Sequence, residues 1–352
     1  MKEFWISVDL GYGQVKGVNE LGKKIIFPSI LSPGKDRSLD KFFNRLDENI
    51  ADNLHVTISD NNYNNTTNDY FVGKLAQRSN TNSYFNTTDN KIYSNENKVF
   101  LATLAGLLMP KGITEEYALN VITGLPVSHF VKQRAELETM IKNLNITVDF
   151  PDHNIKQHVK FNKVLLMPQG AGALNYVLLN NGQKYYIRNT YIGLIDIGFK
   201  TTDIVVFKIN DNGKLEFISD MSSTLENIGM SIIYTEMDKI FVKASRNGES
   251  LSVDRLMELC RNGKIFYNGS FLDLTKELKK LKDDVACSIV NNIDTLWTSS
   301  AKSAFNSVIL AGGGGAVLYP YIKPKLGVCS VALSNNAEFA NTFGYLSHIK
   351  KR

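Results

Sequence analysis

Two short stretches of the chain carry the same chemistry-bearing pattern. Residues 6–12 read Ile-Ser-Val-Asp-Leu-Gly-Tyr, and residues 194–199 read Leu-Ile-Asp-Ile-Gly-Phe. Each is a β-forming run ending in Asp–aliphatic–Gly–aromatic, and each is followed by a second β-forming run. A glycine at a hairpin turn lets backbone N–H groups approach an anion closely, because it lacks a Cβ and tolerates positive φ. Two such hairpins, bearing Gly11, Gly13 and Gly198, are suited to clamp a polyphosphate from both sides. Asp9 and Asp196 then stand at strand ends beside the phosphates. Carboxylate against phosphate is repulsive unless a divalent cation intervenes. Mg²⁺ fits, because it keeps several waters that carboxylates can hold. Lys16, just beyond the first turn, can neutralise a phosphate oxygen. Thr201 and Thr202 offer hydroxyl donors. The run Gly312, Gly313, Gly314 and Gly315 follows the strand-like Ser307–Ala311 and would let a flat base and ribose lie against backbone.

These groups need elements to hold them. Phe4–Asp9, Gln14–Val18 and Lys24–Phe27 predict a three-stranded meander. Leu119–Ile122 and Val164–Met167 predict further strands, and about Asn95 to Met109 a helix stopped by Pro110. Ser128 is a candidate N-cap for a helix with Phe130, Leu137, Met140 and Ile141 on one face. A helix opens at Gln169–Ala173 and is expected to stop at Asn180-Asn181-Gly182. The pattern then restarts with strands Ile192–Asp196, Thr202–Phe207 and Leu215–Ser219. A helix follows Gly229, and a long one runs from about Leu274 to Trp297. The repeat predicts two α/β halves with a cleft between them. Their expected bounds are 1–180 and 181–334, with a terminal helix at 335–352 packing back on the first half. The Asn-, Ser- and Thr-rich stretch of about 28–95 predicts a small inserted subdomain.

Composition bounds the function. Of 352 residues 43% are hydrophobic, enough for a buried core, and Lys+Arg 40 against Asp+Glu 35 leaves +5. That excess is spread along the chain and gives no direct nucleic-acid motif. The longest apolar run, Val99–Met109, is far short of the about 20 residues of a membrane span. The three cysteines, Cys260, Cys287 and Cys329, are too few and too scattered for a disulfide framework or a metal knuckle. The expectation is a cytoplasmic protein with no membrane segment.

Asp9-Leu10-Gly11-Tyr12-Gly13-Gln14-Val15-Lys16 resembles the first phosphate loop of the actin-like ATPases. Asp196-Ile197-Gly198-Phe199-Lys200-Thr201-Thr202-Asp203 resembles the second, and Val308–Gly315 the adenosine motif. Met167–Ala173 and Ala340-Asn341-Thr342-Phe343-Gly344-Tyr345 are similar to the two connecting segments. Phe27-Pro28-Ser29, Val72–Ala76 and Thr123-Gly124-Leu125-Pro126 narrow the resemblance to the ParM/StbA plasmid-segregation actins and the related single archaeal actins.

The resemblance implies an actin-like α/β fold: two RNase H-like domains around a nucleotide cleft. It implies ATP, with GTP the alternative, and Mg²⁺ held through water by Asp9 and Asp196. Gly11, Tyr12, Gly13, Gln14, Lys16, Gly198, Thr201, Thr202, Asp203 and Gly312–Gly315 become nucleotide-binding candidates. Gln169, at the first connecting segment, becomes the residue that orients the attacking water, so Gln169, Asp9 and Asp196 are the catalytic set. Gly170, Gly172 and Gly344 become hinge residues. The implied activity is ATP hydrolysis coupled to polymerisation, with self-association into filaments and a DNA-binding, ParR-like adaptor as partner. A small-molecule kinase of sugar or acetate type and a cell-shape actin homologue are the alternatives within the superfamily.

Overall fold

The computed structural model describes residues 2–37, 49–62, 66–79, 84–85, 94–110, 117–246 and 248–349. The chain divides into two compact units. One comprises Met1–Leu125, His129–Pro168 and Tyr345–Arg352; the other comprises Pro126–Ser128 and Gln169–Gly344.

In the first unit, β1 (Lys2–Leu10), β2 (Gln14–Asn19) and β3 (Lys24–Pro28) form the expected antiparallel meander. β4 (Tyr117–Leu125) adds parallel to β1, and β5 (Lys163–Pro168) parallel to β4. The spatial order is therefore β5-β4-β1-β2-β3. β1 is central and buried on both faces, which is why Phe4, Trp5, Ile6 and Val8 read as a nearly unbroken apolar run. Helix α1 (Asn95–Leu108) covers this sheet. Ser94 caps it by accepting from Asn97 N, and Asn19 Nδ2 donates to the Leu108 carbonyl at its far end (2.8 Å). Its flank meets β2 at Gly17, where a Cβ would lie 2.7 Å from Leu108 Cδ1.

The stretch of about 28–95 supplies strands to a second sheet, which later strands of the chain complete. Its strands Ile30–Pro33, Leu54–Asp60, Thr66–Val72 and Tyr84–Phe85 share one six-stranded sheet with Asn145–Phe150 and Ile155–Lys160. Helix α2 (Val127–Lys142) begins one residue before Ser128, so Ser128 is not its N-cap; the Ser128 hydroxyl donates to Glu226 instead (3.2 Å). Leu137 and Ile141 are its buried face, as the spacing predicts.

The second unit repeats the topology. Its main sheet contains β6 (Thr190–Ile197), β7 (Thr202–Ile209), β8 (Leu215–Phe217), β9 (Phe305–Ala311) and β10 (Val331–Leu333), with the short strand Ser223–Leu225 also paired to β7. β6–β7–β8 form the meander, and β9 and then β10 add in parallel, giving β8-β7-β6-β9-β10. Helix α3 (Ala171–Tyr185) runs through the expected stop at Gly182. α4 (Ser231–Ser245) buries Ile233, Met237 and Phe241. α5 (Val253–Asn262) and the hairpin Lys264–Tyr267/Ser270–Asp273 fall where the sequence carries no recognisable motif. α6 (Thr275–Leu296) falls within the expected bounds and buries Leu278, Val285, Ile289 and Ile293 at helical spacing. Beyond it, Trp297 packs on Phe305 and donates from Nε1 to the Met221 carbonyl. α7 is Gly312–Ile322 and α8 is Ala340–Ile349. No helix among the described residues is long and apolar enough to cross a membrane.

Candidate functional site

The first hairpin is β1–β2. Asp9 faces Lys16 across it, and Leu10 faces Val15. Directly opposed side chains lie on one face, so a carboxylate and an ammonium share this end of the sheet. Both residues are buried, at 7% and 8% exposure. The turn closes through Gly11 N donating to the Gln14 carbonyl (3.1 Å). Ser29 then fixes the turn: its hydroxyl donates to the Gly11 carbonyl (2.6 Å) and its N–H to the Gly13 carbonyl (3.0 Å). Ser29 was visible in the sequence only as part of a family echo. It engages two carbonyls of the turn with one side chain and its own N–H. Tyr12, the bulky member of the turn, is buried.

The second hairpin is β6–β7. Asp196 faces Asp203 and Ile197 faces Thr202. The turn closes in the same way, Gly198 N to the Thr201 carbonyl (2.9 Å). Here the start of α4 takes the part of Ser29. Met230 N donates to Gly198 O and Ser231 N to Phe199 O, so helix-terminal donors are satisfied by the turn. The Phe199 ring packs edge-on against Tyr234 of that helix (5.4 Å).

Two of the candidates in this hairpin have other tasks. The Thr202 hydroxyl donates to the Ile228 carbonyl (2.7 Å), and Thr202 is fully buried. A hydroxyl has one hydrogen, so the expected phosphate donor of this pair is Thr201 alone. Asp203 accepts from the Thr224 hydroxyl (2.5 Å) and from the Val127 N–H. Burial pushes its carboxyl up to about 7, and the Asp196 carboxylate opposite adds to the rise, while Thr224 opposes it. Asp203 is thus a buried acid whose carboxylate is already engaged by its own neighbours.

Asp196 is 9% exposed, with one carboxylate oxygen held by a side chain and the other lying against backbone. Oδ2 accepts from Asn341 Nδ2 at 2.6 Å. Oδ1 lies beside Gly312, where a Cβ would come within 2.4 Å of it. Gly312 also has φ +79°, which an L side chain adopts only with strain. The glycine run is therefore not a loop. It opens α7, and Gly312 and Gly314 are small because that helix starts against Asp196 and Ile197. Gly313 is the member of the run left half-exposed.

Gln169 is buried and precedes Gly170, the cap of α3. Gly170 has φ +79°, and a Cβ there would meet Val205 at 2.6 Å. A cap confined to glycine has no side chain with which to cap. Asn341 supplies the missing oxygen from α8: its Oδ1 accepts from Gly170 N and Ala173 N, both at 3.1 Å. Among the described residues no group of three or more His, Cys, Asp or Glu could hold a metal ion. Mg²⁺ does not require one, since it binds one or two carboxylates plus waters and phosphates. The aspartate at the strand end of each hairpin is a carboxylate of that kind.

Comparison with known proteins agrees with this geometry. Residues 7–172 match the model for the N-terminal domain of actin-like proteins. Residues 194–323 match that for the C-terminal part of archaeal MreB-like actin homologues. The chain is 47% identical, over all of both chains, to the subunit of a 15-stranded ParM filament from Clostridium botulinum, with a TM-score of 0.94. It is 24% identical over 97% of both chains to an archaeal actin homologue of Thermoplasma acidophilum. An archaeal actin homologue crystallised with ADP shares the fold, with a TM-score of 0.77 at 20% identity over 99% of this chain and all of that one. Two sheets sharing one core strand order, each opening on an Asp–Gly hairpin, together with 47% identity over the full length to a ParM filament subunit, place this chain in the family of actin-like proteins, among the relatives of ParM.

Proposed function

We propose that this chain is a nucleotide-dependent, filament-forming ATPase that serves as a cytomotive filament in the segregation of plasmid or other DNA. The carrying observation is the pair of hairpins, one in each unit, with the same turn hydrogen bond and an aspartate at the same strand position. The similarity to a subunit of a ParM filament supports self-association, and the similarity to a protein crystallised with ADP supports an adenine nucleotide.

In this proposal both hairpins take one ATP, with GTP the alternative. Asp9 and Asp196 hold the waters of Mg²⁺, which when bound supplies neutralisation of the β- and γ-phosphate charge. Lys16 and the N–H groups of the turns at Gly11–Gln14 and Gly198–Thr201 stabilise charge that develops on the phosphates. Gly313 and its neighbours at the start of α7 lie along the nucleoside. Gln169 orients the attacking water. Phosphoryl transfer to water is chiefly positioning and charge stabilisation, which is what this set of groups can do. With +5 spread along the chain and no nucleic-acid motif, a DNA-binding adaptor of the ParR kind is the proposed link to the cargo.

Sedimentation tests the proposal. The protein is expected to pellet at high speed with Mg²⁺ and ATP or GTP, to stay in the supernatant without nucleotide, and to release phosphate as it assembles. A supernatant fraction unchanged by either nucleotide over a wide protein range refutes the filament. Turnover that needs a sugar or carboxylate acceptor, with no pelleting, points to the kinase alternative.

A further inference from the structure

Asn341 joins two parts of the proposed machinery that lie far apart in sequence. Its Oδ1 accepts from Gly170 N and Ala173 N, and its Nδ2 donates to Asp196 Oδ2. The amide orientation is dictated by these partners: two N–H donors require an oxygen, and a carboxylate requires a donor. The side chain is 6% exposed, so water competes little for either end.

The helix that carries Asn341 is itself fixed on α3. Gly344 of α8 lies so close to α3 that a Cβ there would be 1.7 Å from the Gly172 carbonyl oxygen. Asn175 Nδ2 donates to the Gly344 carbonyl (3.1 Å), and Tyr176 stacks on Phe343 (5.1 Å). α8 and the start of α3 are thus one packed piece, with Asn341 reaching out of it to Asp196. Gln169 is the residue next to Gly170. The position of the glutamine turn and the rotamer of the aspartate are set by the same amide group.

We propose that Asn341 is a positioning residue that locks the Asp196 carboxylate, through its Nδ2 donor, to the turn bearing Gln169. This rests on the ATPase reading for the role of Asp196, but the hydrogen bond it invokes stands on the geometry alone. Asparagine is suited to the task because one short side chain offers an acceptor to the helix start and a donor to the carboxylate. Aspartate keeps the first function and reverses the second. It caps a helix as well as asparagine does, while setting a carboxylate against Asp196.

That difference gives the test. Asn341→Asp and Asn341→Ala are compared in nucleotide-free protein and in Mg²⁺-dependent ATP turnover. Without nucleotide, Asn341→Asp is expected to melt below the wild type. The exchange Asp196→Asn with Asn341→Asp is expected to recover stability beyond the sum of the single changes, because the pair is rebuilt with its polarity reversed. In turnover, Asn341→Asp is expected to raise the Mg²⁺ concentration for half-maximal rate about 10–100-fold, the usual effect of losing a group that orients a metal ligand. Asn341→Ala is expected to do the same with a smaller loss of turnover. A helix-capping role alone predicts that Asn341→Asp behaves as wild type in both measurements, and that result overturns the inference. Additive melting changes in the exchange variant overturn it too. Wild-type protein with no Mg²⁺-dependent turnover refutes the ATPase reading separately, and the melting comparison still decides the Asn341–Asp196 link.

Discussion

Across each hairpin, the residue opposite the aspartate decides what that aspartate faces. Asp9 faces Lys16, and Asp196 faces Asp203. In the second hairpin Asp203 is pushed up to about 7, mainly by burial, with the carboxylate of Asp196 opposite adding to the rise. Its pKa is higher folded than unfolded, so its contribution to stability is full below about pH 4 and is lost as the pH rises through about 7. At about 1.4 kcal/mol per unit, the loss amounts to a few kcal/mol. Metal- and nucleotide-free wild type is therefore expected to lose stability relative to Asp203→Asn between about pH 4 and pH 8, as read by urea denaturation. Parallel profiles for the two proteins refute this account. Gln169 makes a different prediction. A residue that orients water acts in the transition state. Gln169→Ala is expected to lower turnover about 10²-fold or more while ATP affinity stays nearly unchanged. An affinity that collapses while turnover of bound nucleotide persists would assign Gln169 to binding.

At the scale of elements, close backbone approaches explain small residues that the sequence leaves ambiguous. Gly344 is required by the α3–α8 contact, since a methyl group there meets a carbonyl oxygen in backbone that cannot rotate away. Gly344→Ala is expected to destabilise the protein by about 2 kcal/mol or more, as an overpacked contact does. A melting temperature equal to wild type would show that the helices separate at no cost. The glycine run at the start of α7 has the same kind of reason, not the flexibility its composition implies. Gly312 and Gly314 let a helix begin against β6: a Cβ at Gly312 would meet Asp196, and one at Gly314 would meet Ile197. Strands and long helices were legible because their periodicity records burial: the stripe Leu278, Val285, Ile289 and Ile293 of α6 is an example. The hairpin Lys264–Tyr267/Ser270–Asp273 was not legible. Phe266 and Phe271 are exposed on it, so its pattern does not report a buried face.

For the molecule as a whole, proposed assembly and proposed hydrolysis are linked through Gln169. If filaments form with ATP bound and come apart after hydrolysis, Gln169→Ala filaments are expected to assemble as wild type and to persist several-fold longer in light scattering once free ATP is consumed. Decay at the wild-type rate would uncouple disassembly from hydrolysis. The sequence by itself determined the repeat, the two meanders and the aspartate at the end of each first strand. These are local: alternation, turn glycines and strand-end positions are written in consecutive residues. It did not determine that Thr202 spends its hydroxyl on Ile228, that Asp203 is held by Thr224 and Val127, or that Asn341 spans from the start of α3 to Asp196. Those partners lie tens of residues or more away along the chain. A donor and an acceptor become a pair only when folding removes the water that either would otherwise bind, and only tertiary structure decides which groups are left facing each other when it has gone.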